Sequence, residues 1–249
     1  MPGTSEKPTV TFMGLPILCL GLDKIKEEIL SIQEYSRSFH LVNAFTLNIA
    51  EKSPSLHSIL KSSYLLCDGA PLAIVLSKRN PELKQVRGPD LMRAVLIASP
   101  PSISHFFLGG TDKSLNLLLL KAKELNPDLR IAGAIAPPFQ DDFASSILEW
   151  SETISMSLAN IVWIGLGTPK QDYVAYSLSR QIPITTISVG AAFDFISEVV
   201  PESPKFLQKL YLEWFYRLIK EPKRLWRRYL IGNFVFLRIC VKEVLRTRV

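Results

Sequence analysis

The chain has 249 residues and a formal net charge of +6; 47% of its residues are hydrophobic and 21% are charged. This length and composition are typical of one large folded α/β domain or two small ones, and they exclude a disordered chain. The three cysteines and three histidines show no CxxC, HExxH or paired spacing, so a zinc site is not expected and the thiols are interpreted as reduced, in a cytosolic protein. The sequence contains no run of about 18 apolar residues and therefore predicts no transmembrane helix.

Short apolar runs alternate along the chain with segments of helical periodicity, and Gly and Pro mark the loops between them. Strands are predicted over residues 10–20 (as a pair, or as a strand and turn), 39–44, 64–67, 103–108, 129–135, 160–164 and 185–189. Helices are predicted over residues 24–36, with Asp23 as the N-cap, and over 72–77, 114–125, 142–155, 172–180, 205–220 and 223–248. This alternation is typical of a parallel, doubly wound sheet, so the predicted fold class is α/β.

A carboxylate and a guanidinium follow the predicted strand 64–67 on two neighbouring loops. Asp68 stands where this strand ends, and the carboxyl ends of parallel strands form the crevice in which such sheets bind ligands. Arg87 lies on the second loop, before Pro89, which suits the first turn of a helix. The two side chains could serve as a base and an anion clamp, or they could form a loop salt bridge of the common, weak kind. The residues alone leave both interpretations open.

Two further loops carry residues that suit a ligand site but have simpler explanations. Thr46 and Asn48 follow the strand 39–44, where capping of a helix is the favoured interpretation. Gly109 and Gly110 connect a strand to a helix, an arrangement that brings backbone N–H groups close to a phosphate, although tight turns need glycine in any case. The GLGTPK segment at 165–170 is not a Walker loop.

The basic charge is concentrated in the C-terminal segment. Residues 202–249 hold 12 Lys and Arg against four acidic residues, whereas the rest of the chain holds 17 basic and 19 acidic residues. Arg224, Arg227 and Arg228 cluster beside Trp226 and Tyr229. We predict a core over residues 1–200 and a basic, amphipathic helical appendage over residues 201–249, whose composition suits an anionic membrane interface. The alternative is a packed helix pair with a solvated charged face.

Seven segments in this order resemble the WecG/TagA/CpsF family of bacterial glycosyltransferases, over about residues 41–230. The segments are TLN at 46–48, DG at 68–69, VRGPDL at 86–91, LGG at 108–110, GLGTPKQ at 165–171, VGAAFD at 189–194, and LEWFYRL at 212–218 with EPKR at 221–224. The resemblance implies a Rossmann-like core and an inverting transfer from a UDP-sugar, without a metal or other cofactor. The acceptor it implies is a saccharide on a polyprenyl (undecaprenyl) diphosphate at the cytoplasmic membrane face, and the sugar is often N-acetylmannosamine.

The resemblance also implies roles for particular residues. Asp68 matches the general base for the acceptor hydroxyl, a role that suits an inverting displacement. The residues that match sugar-nucleotide contacts are Thr46, Asn48, Arg87 and Gln171. Those that match the lining of the nucleotide side are Gly109, Gly110, Gly190 and Asp194. The tail residues expected to supply positive charge to the site are Arg217, Arg224, Arg227 and Arg228.

One motif departs from the family pattern. Where the family usually has Gly-x-x-x-Arg-Ala-Pro, this chain has Glu198 and Glu202 at the Gly and Arg positions. An acid in place of an arginine prompts the alternative of a non-catalytic nucleotide-sugar-binding protein of the same fold. A nucleic-acid partner is not expected, because the core is near neutral and no nucleic-acid-binding module is recognised. The expected location is peripheral, at the inner face of the plasma membrane, and a homo-oligomer is possible.

Overall fold

The computed structural model describes residues 7–31, 35–138 and 143–246, apart from the side chains of Ala144, Arg224 and Arg246. Within these ranges eight strands form one sheet: β1 Thr9–Phe12, β2 Leu15–Leu18, β3 Arg37–Val42, β4 Tyr64–Cys67, β5 Ser104–Gly109, β6 Arg130–Ile135, β7 Ile161–Gly165 and β8 Thr185–Ser188. Their order is β1-β2-β4-β3-β8-β7-β5-β6. The β1–β2 pair is antiparallel and the other pairs are parallel. The prediction of an α/β fold with a mostly parallel sheet is confirmed.

Helices connect the strands and cover both faces of the sheet. In the core they are α1 Leu22–Leu30, α2 Ala44–Ala50, α3 Pro54–Lys61, α4 Ala70–Ser77, α5 Gly88–Ala98, α6 Asp112–Leu125, α7 Ala144–Met156, α8 Lys170–Gln181 and α9 Ala192–Ile196. The C-terminal segment contains α10 Lys205–Lys209, α11 Glu213–Lys220, α12 Pro222–Trp226, a π-helical turn Arg227–Ile231 and α13 Gly232–Arg246. No helix in the described ranges is both long enough and apolar enough to cross a bilayer.

The strand order places a ligand crevice beside β3. The chain passes from β3 to β4 on one side, whereas β8, β7, β5 and β6 occupy the other side. Open α/β sheets bind ligands outside the carboxyl ends of the strands, at the point where the order reverses. Every residue of β3 and of β5 is buried, as expected for central parallel strands that are covered on both faces.

Several predicted helix boundaries were wrong, because the cap lies earlier or the backbone turns within the segment. Helix α1 begins after Gly21, so Asp23 lies in the first turn and is not the cap, and the helix ends at Leu30. Residues 32–34 of the predicted helix lie outside the described ranges. The single helix predicted over 205–220 is two helices, because Tyr211 adopts a left-handed φ of 61° between them.

The helix predicted to end the chain is also divided. A π-helical turn separates α12 from α13 within the range predicted as one helix over 223–248. The start predicted for α7, Asp142, lies outside the described residues. Helix α3 was not predicted, although Ser53 before Pro54 is a recognisable start signal, since the Ser53 side chain accepts a hydrogen bond from the Leu56 N–H.

The last helix packs into the core. Phe236, Ile239 and Cys240 of α13 are buried in the same apolar cluster as β1, β2 and β4, and the Phe236 ring lies 6.1 Å from that of Phe12. Glu51 accepts hydrogen bonds from Arg238 and Lys242 at 3.0 and 2.8 Å, which join α13 to the end of α2. The sheet is complete at β8, but part of its covering comes from residues beyond 200. The division into a core and an appendage at residue 200 stays a prediction.

We expect Phe236→Ala to lower the free energy of unfolding by about 3 kcal/mol or more, because it removes a buried aromatic ring and leaves a cavity. Phe236 is 4% exposed, whereas Phe234 on the same helix is 73% exposed. Phe234→Ala is therefore the matched control and should change the stability by less than about 0.5 kcal/mol. Urea unfolding of both variants measures the difference. Equal stability of the two variants would show that α13 does not contribute to the core.

Candidate active site

The pairing of β3 with β4 places two polar side chains together at the carboxyl edge of the sheet. Val42 pairs with Cys67 in the parallel register, so Asn43 and Asp68 follow at neighbouring strand ends. The Asp68 N–H donates to the Val42 carbonyl at 2.8 Å, and the Asn43 side chain hydrogen-bonds the Asp68 carboxylate. Asn43 was not predicted as a site residue, although the same strand-end argument that selected Asp68 applies to it.

Asn43 also begins the helix that follows. Its Oδ1 accepts the N–H groups of Phe45 and Thr46 at 3.0 and 3.1 Å, which makes it the N-cap of α2. The prediction that Thr46 and Asn48 form the cap was therefore wrong by one turn. Gly69, next to Asp68, has a φ of 85°, and a Cβ at this position would lie 3.1 Å from the Asn43 Cβ. A glycine is needed there for the two strand ends to approach each other.

The surroundings of Asp68 favour its protonated form more than water does. Burial and, after it, the negative charge of Glu213 raise the pKa of Asp68 to about 6, against the opposing effects of the Asn43 hydrogen bond and the Arg87 charge. A carboxylate whose pKa lies close to neutrality is a stronger base than an ordinary aspartate and is still ionised at pH 7.

Asp68 stands between two cavities at the carboxyl edge of the sheet. The first, which we call the tail-side cavity, has a volume of about 130 Å³ and is lined by aromatic side chains, among them Phe45, Tyr211, Trp214 and Tyr229. The second, the strand-side cavity, has a volume of about 110 Å³ and is lined by backbone and side chains after β7 and β8, among them Gly167, Thr168, Gln171, Ser188 and Gly190. The residues common to both walls are Asn43, Asp68, Arg87, Glu213, Arg217 and Arg228.

Arg87 is held by side chains of the C-terminal segment. Its Nε donates to Glu213 at 2.8 Å, one Nη donates to Gln208 at 2.8 Å and to Asp90 at 2.9 Å, and the other donates to Glu202 at 3.2 Å. Although burial opposes the charged form, the hydrogen bond to Glu213 raises the pKa of Arg87 above its ordinary value. The interpretation of Asp68 and Arg87 as a loop salt bridge was wrong, because the carboxylates that pair with Arg87 are those of Asp90, Glu202 and Glu213.

The departure from the family pattern at Glu202 has a local explanation. Glu202 accepts hydrogen bonds from both Arg87 and Arg93, and it lines neither cavity. The acid therefore faces two arginines of the core and is turned away from the space that a substrate could occupy.

Gln171 lies in the wall of the strand-side cavity. It is buried, its Oε1 accepts the Gly167 N–H at 3.1 Å, and a Cβ at Gly190 would lie 3.3 Å from the same oxygen. The next residue, Asp172, hydrogen-bonds the buried His40 at 2.8 Å and so ties the start of α8 to β3. This pair joins positions 132 residues apart, and no local pattern in the sequence indicates it.

The tail arginines have different environments. Arg217 lies 5.2 Å from the Phe195 ring centroid, and its Nε is buried without a hydrogen-bond partner among the described residues. Arg228 lies 4.4 Å from the Phe45 ring centroid, and both arginines line both cavities. Arg227 is exposed, lies 5.2 Å from the Trp226 ring centroid and lines neither cavity. The side chain of Arg224 lies outside the described part of the chain.

Five predicted contact residues of the core do not line either cavity: Thr46, Asn48, Gly109, Gly110 and Asp194. Asn48 donates to the Gly232 carbonyl at 2.8 Å and so fastens the tail to α2. Thr46 is buried, and its hydroxyl donates to Asn43 at 3.3 Å.

The other three lie at the carboxyl end of β5 and in α9. A Cβ at Gly109 would meet the Gly165 carbonyl at 2.6 Å, and one at Gly110 would meet the Ser114 hydroxyl at 2.8 Å, so these glycines permit close packing. Asp194 lies in α9, whose Ala192 and Phe195 line the strand-side cavity. Direct contact of these five residues with a substrate stays a prediction.

Among the described residues, no group of three His, Cys, Asp or Glu side chains is placed to hold a metal ion.

The fold and site define a doubly wound α/β protein with a ligand crevice closed by its C-terminal helices. Residues 10–249 match the profile of the glycosyl transferase WecG/TagA/CpsF family, and the chain belongs to this family. Similar proteins include an N-acetylglucosaminyldiphosphoundecaprenol N-acetyl-beta-D-mannosaminyltransferase of Bacillus spizizenii, 27% identical over 185 residues. A protein of the same name from Bacillus subtilis is 28% identical. Each alignment covers 73% of this chain and 70% of the relative.

Proposed function

We propose that this glycosyltransferase moves a sugar from a UDP-sugar to a saccharide carried on a polyprenyl diphosphate, with inversion at the anomeric carbon. The observation that carries the proposal is the position of Asp68, a carboxylate with a pKa of about 6 in the wall shared by two cavities. The names of the two relatives specify a diphosphoundecaprenol-linked acceptor and an N-acetylmannosaminyl group, which makes this acceptor and this sugar the first to test.

The two cavities suit the two substrates. The strand-side cavity lies at the switch point of the sheet, where nucleotides bind in open α/β folds, and we assign the UDP-sugar to it. The tail-side cavity has aromatic walls that suit the faces of an acceptor sugar and its lipid. Asp68 would take the proton from the acceptor hydroxyl as its oxygen bonds to the anomeric carbon, while the bond from that carbon to the diphosphate oxygen breaks and UDP leaves with the electron pair.

Positive charge is available for the leaving diphosphate. Arg217 and Arg228 line the strand-side cavity. The buried Nε of Arg217 has no hydrogen-bond partner within the described ranges and is a donor that a phosphate oxygen could satisfy. Donors placed in advance where negative charge develops lower the barrier to departure. Gln171, whose amide lies in the same wall, is placed to orient the sugar nucleotide.

We also propose that the tail attaches the enzyme to the inner face of the plasma membrane. Phe234, Leu237 and Val241 are exposed at helical spacing on α13, and the segment carries most of the basic excess. Anionic lipid attracts each nearby Lys or Arg by about 1 kcal/mol, and exposed apolar side chains can enter the headgroup region. This arrangement would bring the tail-side cavity to a lipid-linked acceptor.

Asp68→Asn should reduce transfer by about 10²–10⁴-fold, because the acceptor hydroxyl loses its base, while UDP binding stays within a few-fold. Asp90→Asn is the matched control, since Asp90 also lies beside Arg87 but lines neither cavity. Turnover of UDP-N-acetylmannosamine with a diphosphoundecaprenol-linked N-acetylglucosamine acceptor measures the first effect, and calorimetry with UDP measures the second. An Asp68→Asn protein that is folded and keeps half of its turnover would exclude the proposed mechanism.

The double variant Phe234→Ser, Leu237→Ser should bind vesicles of anionic phospholipid at least about tenfold more weakly, since two apolar side chains lose their burial in the headgroup region. Leu120→Ser, Leu148→Ser is the control, because these two leucines are each 63% exposed on the core. Sedimentation with vesicles at low and high salt measures both variants, and added salt should weaken the binding of the unmodified protein. Equal binding of the two double variants would rule out attachment through α13.

A further inference from the structure

Besides Asp68, a second carboxylate reaches the site, and it comes from the tail. Glu213 is the first residue of α11 and lines both cavities together with Asp68. Its Oε2 accepts the Nε–H of Arg87 at 2.8 Å. Among the described residues, Asp68 and Glu213 are the only acids in either cavity wall.

We propose that Glu213 is a positioning residue for the transfer reaction, whose carboxylate binds Arg87 in the shared wall and thereby keeps this arginine from pairing with Asp68, so that Asp68 can act as a strong base. This inference rests on the proposed role of Asp68. Because Glu213 belongs to the tail, the strength of the base depends on the tail being in place.

The charged and titratable groups around Asp68 come from three parts of the chain. Its own strand contributes Cys67, whose pKa is raised by burial, so its thiol is neutral. The loop before α5 contributes Arg87. The tail contributes Glu213, Arg217, Arg228, Tyr211 and Tyr229.

These groups act on Asp68 in opposite directions. The negative charge of Glu213 favours the protonated carboxyl of Asp68, and the positive charge of Arg87 disfavours it. Glu213 acts twice, because it repels the Asp68 charge directly and because it neutralises the arginine that would stabilise that charge. Removing the Glu213 charge should therefore lower the pKa of Asp68 and weaken it as a base.

The test compares Glu213→Gln with Glu202→Gln. Glutamine at 213 can still accept the Arg87 hydrogen bond but carries no charge, whereas Glu202 pairs with the same arginine and lines neither cavity. In Glu213→Gln the acidic limb of the kcat/KM profile should move to lower pH by about half a pH unit or more, and the plateau rate should fall. Glu202→Gln removes a charge from beside Arg87 but not from the cavity wall, so it should move the limb by much less. Glu213→Asp, which restores the charge, should return the limb towards its original position.

A second readout does not require turnover. Titration of the Asp68 carboxyl by carbon-13 NMR should show the same movement in Glu213→Gln and a much smaller one in Glu202→Gln. An unchanged titration and an unchanged limb in folded Glu213→Gln would overturn the inference and leave the role of Asp68 intact. Equal movement in the two glutamine variants would overturn it as well, because any charge near Arg87 would then suffice. Turnover retained in folded Asp68→Asn would remove the proposed role of Asp68 as the base and, with it, the catalytic part of the inference.

Discussion

The hydrogen bonds of the Arg87 guanidinium join the loop before α5 to the C-terminal segment. Three of its partners, Glu202, Gln208 and Glu213, belong to the segment after the last strand, and Glu213 is 126 residues away. These contacts join α10 and α11 to the loop before α5. The tail supplies one wall of each cavity, and Asp68 lies between the edge of the sheet and a covering of helices.

The same contacts explain why Asp68 is left as a basic carboxylate. An arginine next to an aspartate ordinarily lowers the aspartate's pKa and makes it a poor base. Here the guanidinium is surrounded by three other carboxylates, and Asp68 has Asn43 as its neutral partner. Half-buried charges of this kind are costly when one partner is removed, by about 3–5 kcal/mol for a fully buried pair. The network therefore specifies where the C-terminal segment lies relative to Arg87. This role does not depend on the net contribution of the network to the free energy of unfolding.

Signals that lie close together in the sequence predicted the core and the strand-end carboxylate. Pro89 occupies the first turn of a helix, as its lack of an N–H suggested, and continuous apolar runs such as 103–108 became buried strands. These features depend on residues within a few positions of one another, so the local sequence pattern is enough to predict them.

Features that depend on tertiary contacts could not be predicted in this way. The strand 39–44 looked continuous through Asn43, and only its register with β4 shows that Asn43 stands beside Asp68. The left-handed Tyr211 that divides the tail helix has no glycine to indicate it. Asn48 and Gly109 were expected in the site because their motifs resemble those of the family, but in the fold Asn48 holds α13 and Gly109 packs against Gly165. Both motifs help to build the site, and their direct contact with a substrate stays a prediction.

We propose that core and tail together form one nucleotide-binding site around Asp68. Hydrogen exchange of the backbone amides, measured with and without UDP, can test this proposal. We expect UDP to slow exchange in two separated segments at once, residues 167–171 after β7 and residues 213–217 of α11, both of which contribute to the strand-side cavity. Protection confined to the core, or centred on Gly109 and Gly110 with no change in α11, would contradict it.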